Sequence, residues 1–422
     1  MIAALLFLGC APPISDVEVR ILDEMPTFAE VSWTTRKEVA STVRFGADGN
    51  RTLETPPGPA STSHSAILRG LPQDTAATLQ VVTADGDEGE VVDLHTGALD
   101  DAFHPFVLDG DPLDGFVIAP LYDPGDNAGV VILDGQGRVA WQHEDERGLY
   151  VTRARLARDG SGVIYNSSDL NGEADEIQTL VWVSWTGEET RTVDVPLLGH
   201  DFVEKGDGTV VALAFEERDE VVGTKLIEVA PDGTQTDTWS AFDCFDPDET
   251  SHDEMARGWT FANALDYDED ADQYTISFRN FGSLVSVDGA TGACDWVLGG
   301  LASTFDIAGE TFEHQHQFVR TEDAVLVFDN DGMSGASRII EYALDGDTAE
   351  EIWSHAFDQW NVVLGDVHRL PDDERFVVWA VHGQLDRITA SGEVVSTLST
   401  EPGVVVGFVD LPTDLTAERT GD

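Results

Sequence analysis

Basic residues are scarce in this chain of 422 residues. Lys and Arg together number 23, against 80 Asp and Glu, so the formal net charge is −57. Ammonium groups are supplied by Lys37, Lys205 and Lys225 alone. A polyanion of this kind repels nucleic acid and anionic lipid, which argues against both as ligands. The simplest interpretation of the charge is a solvated acidic surface that keeps the protein soluble.

Long apolar runs are also missing, because no segment reaches the roughly 18 consecutive apolar residues of a membrane-spanning helix. The short run that opens the chain, MIAALLFLGC, ends in a small residue followed by Cys10. It resembles a bacterial lipoprotein signal, in which this cysteine is lipidated and becomes the mature N-terminus. The resemblance implies a signal and lipidated-cysteine linker over residues 1–13. It further implies an exported protein, periplasmic or at the cell surface, anchored to a bacterial membrane by lipid.

Cysteine is rare too, with three residues in the chain. Cys244 and Cys294 can form a disulfide in an oxidising compartment or remain buried thiols, and their spacing leaves both alternatives open. No second Cys or His lies two to four residues from either, so a zinc site is not predicted. The Asp-rich turns at 266–273 and 329–332 offer oxygen ligands for calcium. Neither completes a twelve-residue calcium loop, so we predict no metal site and keep calcium as the alternative.

What the chain does contain is a repeated four-stranded unit. Residues 261–300 show four short strands, ANALDY, QYTISF, SLVSVD and CDWVLG, separated by turn residues. Related units begin near residues 200, 315 and 366, and two weaker copies precede them. Six such units at a spacing of roughly 50–60 residues predict an all-β, six-bladed β-propeller over 99–412, because each small sheet needs neighbours on both faces. An acidic tail follows at 413–422.

Residues 14–98 form a separate predicted module. Segments such as AEVSWTT and ATLQVVTAD alternate with the period of two that half-buried strands require. The module resembles a fibronectin type III β-sandwich, in which SWTT corresponds to an early strand and HTGAL to the last one. Such modules commonly serve as spacers or docking surfaces, so the resemblance implies a possible protein partner and no chemistry.

Polar residues recur at equivalent places in successive units. His200, Asn263, His316 and His368 fall on the predicted first strand of their units, which in a propeller lines the central channel. Arg279 adds a cation from the predicted second strand of the Asn263 unit. Imidazoles, an amide and a guanidinium that converge in this way suit the binding of a tetrahedral oxyanion.

Three segments then give a more specific resemblance. GHDFVEKGDGTVVAL, WTFANALDY with ISFRN and DWVLGG, and EHQHQF with VLVFDN and SRIIEY are similar, in this order, to segments of the bacterial arylsulfate sulfotransferases. Members of that family are exported six-bladed propellers that transfer a sulfuryl group from one phenol to another without a nucleotide donor or other cofactor. The resemblance implies that His316 is the nucleophile and that His200, Asn263 and Arg279 bind the sulfuryl oxygens. An aryl sulfate would be the donor and a phenol the acceptor.

The chemistry agrees with these residue types. Sulfuryl transfer has a loose transition state, so catalysis consists mostly of positioning and charge stabilisation. A neutral imidazole can attack sulfur and form a sulfohistidine, which gives a ping-pong cycle. No GxxxxGK[ST] loop and no HExxH motif occurs, which argues against nucleotide-dependent transfer and against a metal-dependent hydrolase.

One position departs from the family pattern. The family has histidine two residues before the asparagine, whereas this chain has Phe261 before Asn263. Phenylalanine neither donates a hydrogen bond nor carries charge, so one group that would stabilise the transition state is absent. His252, His314 and His368 are candidates to replace it. The alternative hypothesis is therefore a catalytically degenerate propeller that binds a ligand or a protein without turnover.

Overall fold

The computed structural model describes residues 12–99, 103, 105–123, 127–169, 177–248, 258–300, 302–330 and 336–415. Cys10, His252, part of the 329–332 turn and most of the acidic tail lie outside these residues. The described residues contain β-strands and four short 3₁₀ helices, and no α-helix. The prediction of an all-β protein is confirmed. Contacts divide the chain into one compact unit mainly within residues 1–100 and another mainly within residues 101–413.

Two sheets form the first unit. Its strands are β1 (Ile14–Ile21), β2 (Ala29–Val39), β3 (Ser41–Ala47), β4 (Leu53–Glu54), β5 (Ser61–Leu68), β6 (Ala76–Thr83) and β7 (Glu88–His95). One sheet has the order β1-β2-β5 and the other β4-β3-β6-β7. Alternate residues such as Val31, Trp33, Val43, Phe45 and Leu79 are buried in one shared cluster. The period-two pattern of the sequence therefore corresponds to inward-facing and outward-facing positions.

The second unit contains the remaining strands. They are β8 (Val107–Gly110), β9 (Phe116–Tyr122), β10 (Ala128–Asp134), β11 (Val139–Asp145), β12 (Tyr150–Leu156), β13 (Gly162–Ser168), β14 (Thr179–Ser184), β15 (Glu189–Asp194), β16 (Leu198–Glu204), β17 (Val210–Arg218), β18 (Val221–Val229), β19 (Gln235–Ser240), β20 (Ala262–Asp268), β21 (Gln273–Phe278), β22 (Ser283–Asp288), β23 (Cys294–Gly299), β24 (Asp306–Ala308), β25 (Phe318–Arg320), β26 (Ala324–Asp329), β27 (Arg338–Asp345), β28 (Thr348–Ala356), β29 (Asp366–Leu370), β30 (Glu374–Trp379), β31 (Gln384–Ile388), β32 (Val394–Ser399) and β33 (Val405–Val406). The 3₁₀ helices span Ala241–Asp243, Arg279–Phe281, Pro371–Asp373 and Ala380–His382.

These strands form six sheets of four or five strands. Three sheets consist of four consecutive antiparallel strands each, and their first strands β12, β16 and β20 lie side by side. The first and last sheets are completed by distant strands, because β33 pairs with β9 and β8 pairs with β32. This is the arrangement expected of a β-propeller, in which the innermost strand of each sheet faces a common axis.

The sheet β20-β21-β22-β23 confirms the four strands predicted within residues 261–300. Its face packs on the preceding sheet through a cluster that includes Leu226, Trp239, Ile276, Phe278 and Val285, all of them buried. These β-branched and aromatic residues alternate with residues that face the next sheet, so both faces of the sheet are covered.

A disulfide joins Cys244 to Cys294 and resolves the alternative that the sequence left open. Cys244 directly follows the 3₁₀ helix Ala241–Asp243, and Cys294 begins β23. The bond therefore links the outer edges of two successive sheets across 50 residues of sequence.

We expect replacement of both cysteines by alanine to lower the free energy of unfolding by up to about 4 kcal/mol. The estimate follows from the loop-closure entropy that a cross-link across 50 residues removes from the unfolded chain. Chemical denaturation of the oxidised parent, the reduced parent and the double variant measures the difference. Equal stability of all three would show that the bond contributes nothing.

Candidate functional site

The predicted site residues come from three successive sheets. His200 lies in β16 and Asn263 in β20, as expected for innermost strands. Two placements differ from the prediction. Arg279 is the first residue of a 3₁₀ helix that follows β21, and His316 lies two residues before β25. Both therefore sit where a strand begins or ends, so the strand register alone does not fix their direction.

The structure nevertheless brings these residues together. The pKa of His316 responds to the charges of Arg279 and His200, and the pKa of His200 also responds to Arg279. The Asn263 amide nitrogen Nδ2 donates a hydrogen bond of 2.8 Å to the carbonyl of Gln315, the residue before His316. Four residues separated by up to 116 positions thus form one cluster near the ends of the innermost strands.

The orientation of His316 is fixed by Asn330. Asn330 Nδ2 donates to the carbonyls of Asn361 at 2.6 Å and Leu364 at 3.0 Å, and carbonyls only accept. Its Oδ1 must therefore face His316 Nδ1, at 2.7 Å. His316 Nδ1 consequently carries the proton and Nε2 keeps a lone pair. That lone pair accepts a hydrogen bond of 3.0 Å from the backbone N–H of Leu364.

Burial keeps this imidazole neutral. The His316 side chain is almost fully buried, and burial lowers its pKa to about 3. The hydrogen bond to Asn330 opposes this shift, and the positive charge of Arg279 adds to it. A neutral imidazole with a protonated Nδ1 is the form in which Nε2 acts as a nucleophile.

His200 is held through its backbone. Its carbonyl accepts hydrogen bonds from Thr152 Oγ1 at 2.8 Å and from Asn166 Nδ2 at 3.2 Å. Burial lowers the pKa of His200 to about 4, although the neighbouring Asp201 raises it. The ring atom Nδ1 is buried and has no hydrogen-bond partner among the described residues.

Asn263 carries a second buried atom of this kind. Its side chain is fully buried, and its Oδ1 has no hydrogen-bond partner within the part of the chain that the structure describes. Buried polar atoms without partners are rare in folded proteins, and at a site they indicate a bound water or ligand. His200 Nδ1 and Asn263 Oδ1 are therefore candidate contacts for a bound water or ligand.

Phe261 occupies the space between the polar groups. Its ring centroid lies 5.2 Å from that of His200 and 5.8 Å from that of Phe215, and the Arg279 guanidinium carbon lies 5.9 Å from it. The ring is buried, and its backbone has a φ of 45°. The residue that departs from the family pattern is therefore central to the cluster, between an imidazole and a guanidinium.

A buried ion pair lies beside the cluster and was not predicted. Arg153 donates to Asp201 at 2.7 and 3.1 Å, and Gln317 Nε2 donates to the same carboxylate at 2.7 Å. Burial alone would raise the pKa of Asp201, but the charges of Arg153 and Arg155 and the hydrogen bonds from Arg153 and Gln317 together lower it. Because Asp201 follows His200 directly and Gln317 follows His316, this network fixes the backbone of both histidines.

Two of the three proposed substitutes for the missing histidine, His314 and His368, are among the described residues. His368 lies in β29, and its Nε2 is 3.1 Å from Asp366 Oδ2. His314 has a φ of 53° in a segment without strand structure, so strand alternation does not determine the direction of its side chain. His252 is not among the described residues. The described residues also contain no group of three or more His, Cys, Asp or Glu that could hold a metal ion.

The two buried imidazoles predict a loss of stability at mildly acidic pH. Both pKa values lie below the ordinary 6.5, so stability is complete above pH 6.5 and falls as the unfolded chain takes up protons that the folded chain excludes. Between pH 6.5 and pH 5 each imidazole should cost about 2 kcal/mol. Denaturation of the parent and of His200→Gln and His316→Gln at pH 7 and pH 5 tests this. The pKa values of His143 and His355 are also lowered, so a weaker dependence should remain in both variants. An unchanged pH dependence in the variants would contradict the assignment.

No helix in the described part of the chain is both long and apolar enough to cross a membrane.

The chain was compared with curated proteins and with solved structures. None of the curated proteins matches the chain significantly. Solved structures with similar folds include a protein from Lactobacillus plantarum (12% identity, 88% of this chain and 99% of that chain, TM-score 0.44). They also include the Cps50 (Swd1) β-propeller domain of Myceliophteria thermophila (13%, 72% and 95%, 0.42) and virginiamycin B lyase of Staphylococcus aureus (9%, 73% and 100%, 0.40).

The match to a family model is more extensive. Residues 113–406, well over half of the chain, match the model of the arylsulfotransferase (ASST) family. The matched range contains every strand of the six sheets except β8. It also includes His200, Phe261, Asn263, Arg279 and His316. The match supports a sulfotransferase function, with an aryl donor and a phenol acceptor as the substrates that the family suggests. This chain belongs to the arylsulfotransferase family.

Proposed function

We propose that the protein is an aryl sulfotransferase that works without a nucleotide donor. It would move a sulfuryl group from a phenolic sulfate ester to a phenol through a sulfohistidine at His316. The observation that carries this proposal is the hydrogen bond from His316 Nδ1 to Asn330, which leaves the lone pair on Nε2 of a neutral imidazole. This is the electronic state that a nucleophilic histidine needs.

The first half-reaction forms one bond and breaks another. His316 Nε2 attacks sulfur, a nitrogen–sulfur bond forms, and the bond from sulfur to the aryl oxygen breaks with loss of a phenolate. The positive charge of Arg279 lies near both histidines and would stabilise the sulfuryl oxygens, together with His200 and Asn263. Asn263 Nδ2 keeps a second N–H for this purpose, because one of its two hydrogens is committed to Gln315.

The second half-reaction restores the enzyme. A phenol oxygen attacks the sulfur of the sulfohistidine, the nitrogen–sulfur bond breaks, and the phenol proton passes to solvent. His200 Nδ1 and Asn263 Oδ1, two buried atoms of the cluster without hydrogen-bond partners among the described residues, can accept a hydrogen bond from the incoming hydroxyl. Neutral His316 is then regenerated with its proton still on Nδ1.

One contact must change before the first step. The Leu364 N–H donates to the same Nε2 lone pair that would attack sulfur. Leu364 has a φ of 56° and is followed by Gly365 with a φ of 108°, so the turn already adopts conformations that are uncommon for most residues. Donor binding must displace this N–H from His316.

The same contact and Phe261 favour a second candidate function. In that alternative the protein is a degenerate family member that binds a ligand or a protein partner, the latter through its N-terminal module, without turnover. A buried nucleophile whose lone pair is occupied and a missing hydrogen-bond donor are the observations that support it.

Export remains part of the proposal. We propose that the chain is a lipoprotein anchored through Cys10 and located in the periplasm or at the cell surface. The disulfide between Cys244 and Cys294 supports an oxidising compartment, because such bonds are rare in proteins of the reducing cytosol.

The proposed function is tested by release of nitrophenol from nitrophenyl sulfate, with and without added phenol, on protein that begins at residue 11. If the protein is a sulfotransferase, the release of nitrophenol should depend on the added phenol, and phenyl sulfate should form. If no nitrophenol is released but calorimetry detects binding of nitrophenyl sulfate, the binding function is correct instead.

A further inference from the structure

Arg191 lacks a carboxylate partner in a protein that has a large excess of carboxylates. No Asp or Glu of the described residues lies within 4.0 Å of its guanidinium, whereas Arg147, Arg153 and Arg338 each form such ion pairs. The guanidinium carbon of Arg191 lies 4.0 Å from the ring centroid of Trp182. Its Nη2 donates to the carbonyl of Ala230 at 2.6 Å. These two contacts fix the orientation of the cation and leave its other N–H groups without a described partner.

A cavity of about 600 Å³ lies directly beside this cation. Its lining includes Trp182, Pro231, Ser161, Thr190, Arg158 and Arg191. The volume is within the range of sites for small organic molecules. An aromatic ring, a proline ring, two hydroxyls and a fixed guanidinium give it both apolar and polar surfaces.

The cavity is separate from the cluster around His316. Glu204, which also lines it, is the last residue of β16, whereas His200 is near the start of the same strand. Four residues of extended chain span about 13 Å. The cavity therefore lies at the opposite end of the strand and is not a part of the site described above.

The acidic groups around the cavity are already committed to the protein. Glu204 Oε2 accepts the Arg158 N–H at 2.8 Å, Asp207 Oδ1 accepts the Thr209 N–H at 2.9 Å, and Asp159 Oδ1 accepts the Ser161 N–H at 2.8 Å. Arg158 itself is paired with Glu269 at 2.8 Å. Burial raises the pKa of Glu204, and the positive charge of Arg191 opposes that shift. The charges of Asp232 and Glu204 act on Arg191, but among the described residues no carboxylate forms an ion pair with it within 4.0 Å.

We propose that this cavity binds a small organic anion. Arg191 holds the carboxylate or sulfate group of that anion, and Trp182 and Pro231 contact its apolar body. A planar guanidinium binds two oxygens of such a group at once, and stacking on an aromatic ring holds it in place. Ser161 and Thr190 supply hydroxyls for the remaining polar atoms.

The test is a calorimetric titration of the full chain with benzoate and with inorganic sulfate. The parent should bind benzoate, and Arg191→Gln should weaken that binding at least about tenfold, since a bidentate charged contact is worth more than about 1.4 kcal/mol. Arg191→Lys keeps the positive charge but cannot bind two oxygens at once, so its affinity for benzoate should lie between those of the parent and Arg191→Gln. Arg218→Gln is the matched control, because Arg218 also lies over an aromatic ring, 5.0 Å from Phe242, but is paired with Glu216.

Arg279→Gln distinguishes the cavity from the sulfuryl site. Binding at the cavity should persist in Arg279→Gln, and its loss there would assign the anion to the other site and overturn the proposal. If the cavity binds sulfate but not benzoate, the proposal that Trp182 and Pro231 contact an apolar body of the anion is wrong. Absence of binding in the folded parent, or equal affinity in Arg191→Gln, would overturn the proposal as a whole. Circular dichroism and the unfolding temperature of each variant establish that it is folded.

Discussion

His316→Ala is expected to reduce sulfuryl transfer by roughly 10⁴-fold or more, because the residue would supply the nucleophile of both half-reactions. The variant should also change how the protein responds to the donor alone. Parent protein treated with nitrophenyl sulfate in the absence of phenol should gain the mass of one sulfuryl group, and His316→Ala should not. Steady-state release of nitrophenol and mass spectrometry of the intact protein measure the two effects.

His368→Ala is the matched control for this substitution. His368 is also a histidine of the second unit, but it is only partly buried and contacts Asp366. Transfer should be largely retained in this variant. If the transfer rate of His316→Ala equals that of the parent, His316 is not the nucleophile.

Phe261→His is expected to accelerate transfer from donors with poor leaving groups by about 10²–10³. The imidazole would restore a hydrogen-bond donor between His200 and Arg279, where the phenylalanine ring now lies. Neutral His200 and His316, with pKa values of about 4 and about 3, are poor proton donors near pH 7. The parent should therefore depend strongly on how easily the phenol leaves as an anion. Histidine also tolerates the positive φ of this position better than phenylalanine does.

This prediction is measured by comparing the rates of transfer from two donors, phenyl sulfate and nitrophenyl sulfate. Phenyl sulfate should gain far more from Phe261→His than nitrophenyl sulfate, because nitrophenolate leaves without protonation. Phe215→His is the control, since Phe215 also packs against Phe261, at 5.8 Å, but makes no recorded ring contact with His200. Equal gains for both donors, or the same gain in Phe215→His, would show that the effect is not proton donation to the leaving group.

The sequence predicted those parts of the fold that depend on local pattern. The four strands within 261–300 were predicted correctly because alternating β-branched and aromatic residues are separated by turn residues, and each pairs with its nearest neighbour. The pairing of β33 with β9 and of β8 with β32 was not predicted. Those partners are far apart in sequence, and strands of two and four residues give little pattern to recognise.

Some features of the site were also predicted from the sequence, and others were not. His200, Asn263, Arg279 and His316 were found from matched segments, and the structure places them in one cluster. Asn330, which fixes the His316 tautomer, was missed although it ends the quoted segment VLVFDN directly after β26. A polar residue at the end of a buried strand was the available signal. The hydrogen bond from Leu364 to His316 could not be predicted, because a backbone N–H leaves no mark in the sequence.

The way the first and last sheets are completed has a consequence for synthesis. Residues 405–406 supply β33 to the first sheet, so β9 has no partner on one edge until those residues have been synthesised. An unpaired strand edge is a template for association with other chains. Completion of the first sheet therefore requires a contact between residues almost 300 positions apart, which predicts a slow step and a need for protection until β33 is available.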